Sequence, residues 1–173
     1  MSGPARVLAL TAALAVLVPA VAVAAPTRAT LPTRGVLVPN KSLGGIRLGD
    51  TQQRVLERWG ANYELCTICD ERTWLYMVDD RNLVGAAVSF RGSRVSSVFT
   101  LGAPEGWRTS RRVMLLEDMK KVESTYGVLT WTTCTGYAAL SMAPRSGVVT
   151  SIFTDGQVIY GFALTRAADP VCR

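Results

Sequence analysis

The chain has 173 residues, and its 19 Lys and Arg against 13 Asp and Glu give a formal charge of +6. It contains no histidine. That absence excludes the usual zinc sites, the Ser-His-Asp and Cys-His nucleophile systems and most general bases working near neutral pH.

Residues 1–24 read as a secretory signal. Arg6 supplies the positive charge, an apolar run extends from Val7 to Val18, Pro19 breaks it, and Ala22-Val-Ala24 has the small-residue pattern of a cleavage site. Cleavage is expected after Ala24, leaving 149 residues, enough for one hydrophobic core. An uncleaved anchor is the rival reading, on a stretch near the lower length limit for a span. Residues 25–41 carry Pro, Gly and Thr without periodicity and read as a flexible tether. Residues 42–173 are then a single domain.

Within that domain, Asp50-Thr-Gln-Gln53 has a capping residue followed three positions later by Gln, the start of a short helix. Val55 and Trp59 share its inner face and Gly60 ends it. Strands follow where Trp74, Tyr76 and Val78 alternate, at Ala86, Val88 and Phe90, and at Val95, Phe99 and Leu101, with a turn at Arg91-Gly92-Ser93. A second helix, with Met119, Val122 and Tyr126 inward, begins at Glu117-Asp118 and stops at Gly127. Three more strands occupy Tyr137 to Met142, Val148 to Phe153 and Val158 to Leu164.

The two halves repeat. Ile46, Leu48, Asp50, Val55, Trp59 and Gly60 fall opposite Val113, Leu115, Glu117, Val122, Tyr126 and Gly127 at an offset of 67. Phe90, Val95, Phe99 and Leu101 fall opposite Phe153, Val158, Phe162 and Leu164 at an offset of 63. The expected fold is therefore α+β: a tandem repeat of a helix plus a three-stranded antiparallel unit, residues 42–102 and 107–164, forming one sheet with helices on one face and a C-terminal tail at 165–173.

Four cysteines in an exported chain are expected to oxidise. Of three connectivities, Cys66 with Cys69 and Cys134 with Cys172 is favoured. The second bridge ties the tail to the sheet and contributes about 4 kcal/mol by loop closure. A redox-active Cys66-Thr-Ile-Cys69 pair is the alternative, but Asp70 and Glu71 beside it raise a thiol pKa. A four-cysteine zinc site wants a second close pair, and Cys134 and Cys172 are far apart.

The densest basic group, Arg108-Thr-Ser-Arg111-Arg112 with Lys120-Lys121, reads as solubility and attraction to anionic envelope polymers rather than as a nucleic-acid face. Asp79-Asp80, followed by Arg81 and Asn82, has the composition of a strand-connecting turn. Most Trp and Tyr residues fall at core positions, with a concave aromatic binding face as the alternative.

Gly45-Ile-Arg-Leu-Gly49-Asp-Thr51, then Val55 and Trp59-Gly60, resembles the opening of the SmpA/OmlA-like outer-membrane-assembly lipoproteins. It is also similar to the secreted β-lactamase inhibitor proteins, whose last hairpin resembles Phe153-Thr-Asp-Gly156 followed by Val158. The company this resemblance implies is a family of exported actinobacterial proteins. It implies a partner bound through two strand-connecting loops, about Val78 to Leu83 and Met142 to Gly147, with Asp79, Asp80, Arg81 and Arg145 as binding residues. The functional expectation is an exported, non-enzymatic binding or structural module of the cell envelope or medium, without a cofactor. Its partner would be another exported protein or an anionic envelope polymer, not nucleic acid, and a membrane only if the signal is retained. A thiol-disulfide redox protein using Cys66 and Cys69, or an inhibitor of a secreted hydrolase, are the alternatives.

Overall fold

The structure, a computed structural model, describes residues 31–32, 34–79 and 81–172. The signal segment with its cleavage site after Ala24, and the first part of the tether, lie outside the described residues. In chain order the elements are β1 (Val36–Val38), β2 (Ser42–Leu43), α1 (Gln52–Trp59), β3 (Glu64–Leu65), β4 (Arg72–Asp79), β5 (Val84–Arg91) and β6 (Arg94–Leu101). There follow β7 (Arg108–Thr109), α2 (Met119–Tyr126), β8 (Thr130–Cys134), β9 (Tyr137–Ser141), β10 (Val148–Thr154) and β11 (Ile159–Arg166).

These elements correct the expected α+β class. The chain is mostly β, and its strands form an eight-stranded antiparallel sheet, β3-β4-β5-β6-β11-β10-β9-β8, and a separate three-stranded sheet, β2-β1-β7. It is not a pair of helix-plus-three-strand units on a single sheet. The strands absent from the sequence reading are short or polar. β8 is Thr-Trp-Thr-Thr-Cys, an edge strand whose residues alternate in no hydrophobic sense. Part of the expected tether is also structured. Leu37 in β1 is fully buried, and β1 pairs antiparallel with β2 and parallel with β7.

Both helices are only eight residues long, too short to persist without tertiary packing. Thr51, rather than Asp50, caps α1 by accepting from the Arg54 N–H at 3.1 Å. Asp50 instead accepts from the Arg47 N–H at 2.9 Å. In α2 the cap is Asp118, which accepts from the Lys120 N–H, while Glu117 accepts from the Met114 N–H at 2.7 Å. Gly60 and Gly127, at φ 82° and 75°, close the two helices in the left-handed region that favours glycine.

One row of paired residues crosses the large sheet from edge to edge: Glu64, Leu75, Ala87, Phe99, Ala163, Ser151, Ser141 and Thr130. Adjacent rows face opposite ways. The row through Trp74, Val88, Val98 and Leu164 joins Val55 and Trp59 of α1 and Val122 of α2 in the main core. Trp59 and Tyr76 meet edge to face at 5.3 Å, and Trp59 and Trp107 at 6.0 Å. Burial of each such side chain contributes about 1.5–3 kcal/mol.

Register also corrects the strand half of the sequence alignment. An offset of 63 sets Phe90 against Phe153 and Phe99 against Phe162. Phe90 and Phe162 belong to the main core, whereas Phe99 and Phe153 pack in a smaller cluster with Ala139 and Ala163 on the opposite face. A slip of one residue reverses every side chain on a strand. The ladders correspond at 64, with Val88 paired to Val98 in one half and Ile152 to Phe162 in the other.

Candidate functional site

Asp79 ends β4 and organises the turn that follows. Its carboxylate accepts from the Asn82 side-chain amide at 2.8 Å and from the backbone N–H groups of Arg81 and Asn82 at 3.0 and 3.3 Å. The Asn82 side chain first, then those N–H groups, hold the Asp79 carboxyl below its ordinary range. Its two oxygens are thus engaged inside the turn. Asp80 lies outside the described residues, and Arg81 is exposed on the same turn.

Arg145 sits at the corresponding turn between β9 and β10. Its N–H donates to the Val148 carbonyl at 3.0 Å and its carbonyl accepts from the Val148 N–H at 2.9 Å. Ser146 and Gly147 follow in the left-handed region, at φ 50° and 74°, the geometry of a tight hairpin turn. The turn lines a cleft of about 420 Å³ with Asn40, Ser110, Arg111 and Tyr126. Arg111 lies over the Tyr126 ring at 5.2 Å and donates to the Thr125 carbonyl at 2.7 Å. Asn40 fixes the far wall: its side-chain amide donates to the Ala143 carbonyl at 2.9 Å and its backbone N–H to the buried Thr150 hydroxyl at 2.6 Å. No carboxylate lines this cleft among the described residues.

The structure does not bring the two expected loops together. From the common row, Asp79 lies four residues beyond Leu75 along β4 and Arg145 four residues beyond Ser141 along β9. These strands run in opposite directions. The loops therefore occupy diagonally opposite corners, about 25 Å apart along the strands alone.

Both disulfides have the favoured pairing, Cys66 with Cys69 and Cys134 with Cys172, and no cysteine is free. They close over the face that carries no helix. The first bridge shapes the loop between β3 and β4. The second draws the tail back to β8, and Val171 packs against the smaller apolar cluster. Between loop and tail lies a second cleft, of about 430 Å³, floored by Thr73, Ser89 and Phe99. Arg91 spans it, donating to Glu71 at 2.7 Å and to Asp169 at 3.2 Å. Thr73 and Ser89 exchange a hydrogen bond at 2.8 Å on its floor. No group of three or more acids or cysteines is arranged to hold a metal among the described residues. Cys69 lies beside Asp70 and Glu71 at a loop rather than at a helix N-terminus.

The aromatic residues divide clearly. Trp59, Trp74, Tyr76 and Trp107 are buried core, and Trp131 is half exposed on the edge strand β8. Sequence reasoning missed Asn40 and the trio Glu71, Arg91 and Asp169. Asn40 reaches partners 103 and 110 residues away, and Arg91 meets Asp169 across 78. No local pattern encodes such separations. Arg111 carried a compositional signal as part of the basic group, but nothing placed it beside Arg145.

Taken together, these features define a disulfide-closed, mostly-β domain with a cationic cleft, the product of an oxidising, extracytoplasmic compartment. No helix among the described residues is long and apolar enough to cross a membrane. No protein-family model matches the chain, and no curated protein matches it. Among solved structures it is similar to an extracellular protein containing a SCP domain from Bacillus anthracis, at 11% identity and a TM-score of 0.50. The match covers 69% of this chain and 44% of that one. At that identity the likeness concerns the fold alone.

Proposed function

We propose that the chain is an exported, non-enzymatic binding module that takes another exported protein or an anionic envelope polymer through its strand-connecting loops. One observation carries this reading: most of the described carboxylates are engaged internally, while the arginines around one cleft have no acidic partner. Asp50, Asp79, Asp118 and Asp155 accept from backbone N–H groups. Glu71 and Asp169 hold Arg91, and Glu117 pairs with Lys121. Arg111, Arg112 and Arg145 enter none of the four ion pairs found among the described residues. A cleft whose arginines face no carboxylate attracts partners of negative potential.

The test is retention from native culture medium and envelope extract on the immobilised, oxidised chain. A retained protein or polymer that elutes as ionic strength rises is the expected outcome. If nothing is held above background, the binding reading fails.

A second reading, redox exchange at Cys66 and Cys69, draws on the exposure of their loop, where Ile68 is 93% exposed. Turnover in an insulin-reduction assay is its test, and an inert bridge ends it.

A further inference from the structure

We infer that the cleft between Arg111 and Arg145 is a binding site for a phosphate group carried on a polymer, the phosphodiester unit of an anionic chain; this rests on the binding reading above. The walls come from four separate stretches of chain, at Asn40, at Ser110 and Arg111, at Tyr126, and at Ala143 and Arg145. Their relative positions are set before any ligand arrives. Asn40 bonds to both Ala143 and Thr150, and the Thr150 hydroxyl returns a bond to the Asn40 side chain at 2.9 Å. The Arg145 turn is closed by two backbone bonds and anchored again where the Ala167 N–H donates to the Gly147 carbonyl at 2.9 Å. Such preorganisation lowers the ordering cost of binding.

The chemistry of the lining selects the ligand. Two arginines border one hollow with no carboxylate among the described lining residues to neutralise them. Arg111 is immobilised by its stack on Tyr126 and spends one donor on the Thr125 carbonyl, leaving other N–H donors of its five. A lone carboxylate offers two oxygens and is satisfied by a single fork. A phosphodiester also has two free oxygens, but they project from a tetrahedral phosphorus instead of lying in one plane with a single edge, and so suit guanidinium forks on two sides. The side of the cleft formed by Val128, Leu129 and Met142 is apolar, so the polar contacts are confined to the arginine side. A volume of about 420 Å³ falls within the range of small-ligand sites.

The test uses the full oxidised chain, titrated with inorganic phosphate and with polyphosphate and followed by amide chemical shifts. Polyglutamate serves as a polyanion without phosphate. Phosphate is expected to shift the amides of Ser110, Arg111, Arg145 and their neighbours as one group. Polyphosphate is expected to bind more tightly at the same place, and polyglutamate at least tenfold more weakly. Arg145→Gln, on an exposed turn, is expected to weaken polyphosphate binding at least tenfold with the fold unchanged by circular dichroism. Arg111→Gln should do the same, and if it loosens the Tyr126 stack, Arg145→Gln alone decides. Equal binding by the Arg145→Gln variant, shifts scattered over Arg47, Arg54 and Arg58, or polyglutamate binding as well as polyphosphate would each overturn the assignment. A chain that ignores phosphate yet retains a partner from native extract loses this inference and keeps the binding reading; one that retains nothing loses both.

Discussion

The two faces of the large sheet are held by different means. One carries both helices and buries Trp59, Trp74, Tyr76, Ile152 and Phe162 in a single core. The other presents mostly small and hydroxyl side chains, among them Ala87, Ser89, Ser97, Ser141, Ser151 and Ala163, around a smaller cluster with Phe99 and Phe153. It is closed by a disulfide-shaped loop and a disulfide-tied tail. Apolar burial grows with side-chain area, so a face with one small apolar cluster among Ala and Ser has less of it to give. Where burial is thin, covalent closure holds the cover in place.

Four measurements break or sharpen this contrast. The largest effect belongs to the helix face. Phe162→Ala, at a fully buried position, is expected to destabilise by about 3–5 kcal/mol in denaturant titration. Next comes the opposite face. Replacing Cys134 and Cys172 together by Ser removes the bridge across the tail and is expected to cost about 2–4 kcal/mol, with rapid amide exchange confined to the tail and β8. If that pair costs more than Phe162→Ala, or if exchange spreads to α1 and α2, the division of labour is wrong.

Smaller still is Arg91→Ala. Arg91 is about half exposed, so its links to Glu71 and Asp169 are screened, and about 1 kcal/mol or less is expected. The smallest effect is the acid response of the turns. Hydrogen bonds from Asn82 lower the Asp79 carboxyl and those from Val158 and Gln157 lower Asp155. Burial works against Glu117, but the Lys121 and Met114 donors still bring it down. A group depressed in the folded state adds stability above its unfolded pKa and loses it as pH falls through the folded value. A shallow decline in thermal midpoint is therefore expected once pH drops below about 4, the ordinary carboxylate range. Asp79→Asn should flatten it slightly. A midpoint that rises on acidification would contradict the assignment.

How much of this was legible beforehand varies by element. The helices announced themselves, because Val55, Trp59 and Gly60 carry a full helical signature, as do Val122 and Gly127. The disulfide pairing was also readable. β4, β5 and β6 stood out by alternation, but β3, β7 and β8 did not, because two-residue strands and a polar edge have no period to detect. The fold class was misjudged for that reason. The slip of one position between the halves came from aligning Phe99 with Phe162, since identical residues outweighed the faces they serve. For the cleft, Arg145 was legible as a turn residue, whereas Asn40 was hidden in a stretch that looked structureless. Contacts over a hundred residues leave no trace in local composition.

The junction of β6 with β11 has a further consequence. Every other neighbouring pair in the large sheet lies close in sequence, within one half of the chain. Within that sheet, among the described residues, this seam alone, where Val98 meets Leu164 and Phe99 meets Ala163, joins the halves across the middle. Hairpins of each half zip early because their loops are short, and the seam, whose closure spans more than sixty residues, comes later. Until then β6 is a bare strand rim of eight residues, an invitation to pair with β11 of another molecule. Cutting the chain between β6 and β7 would make that rim permanent, so a severed first half is expected to assemble with itself rather than remain single.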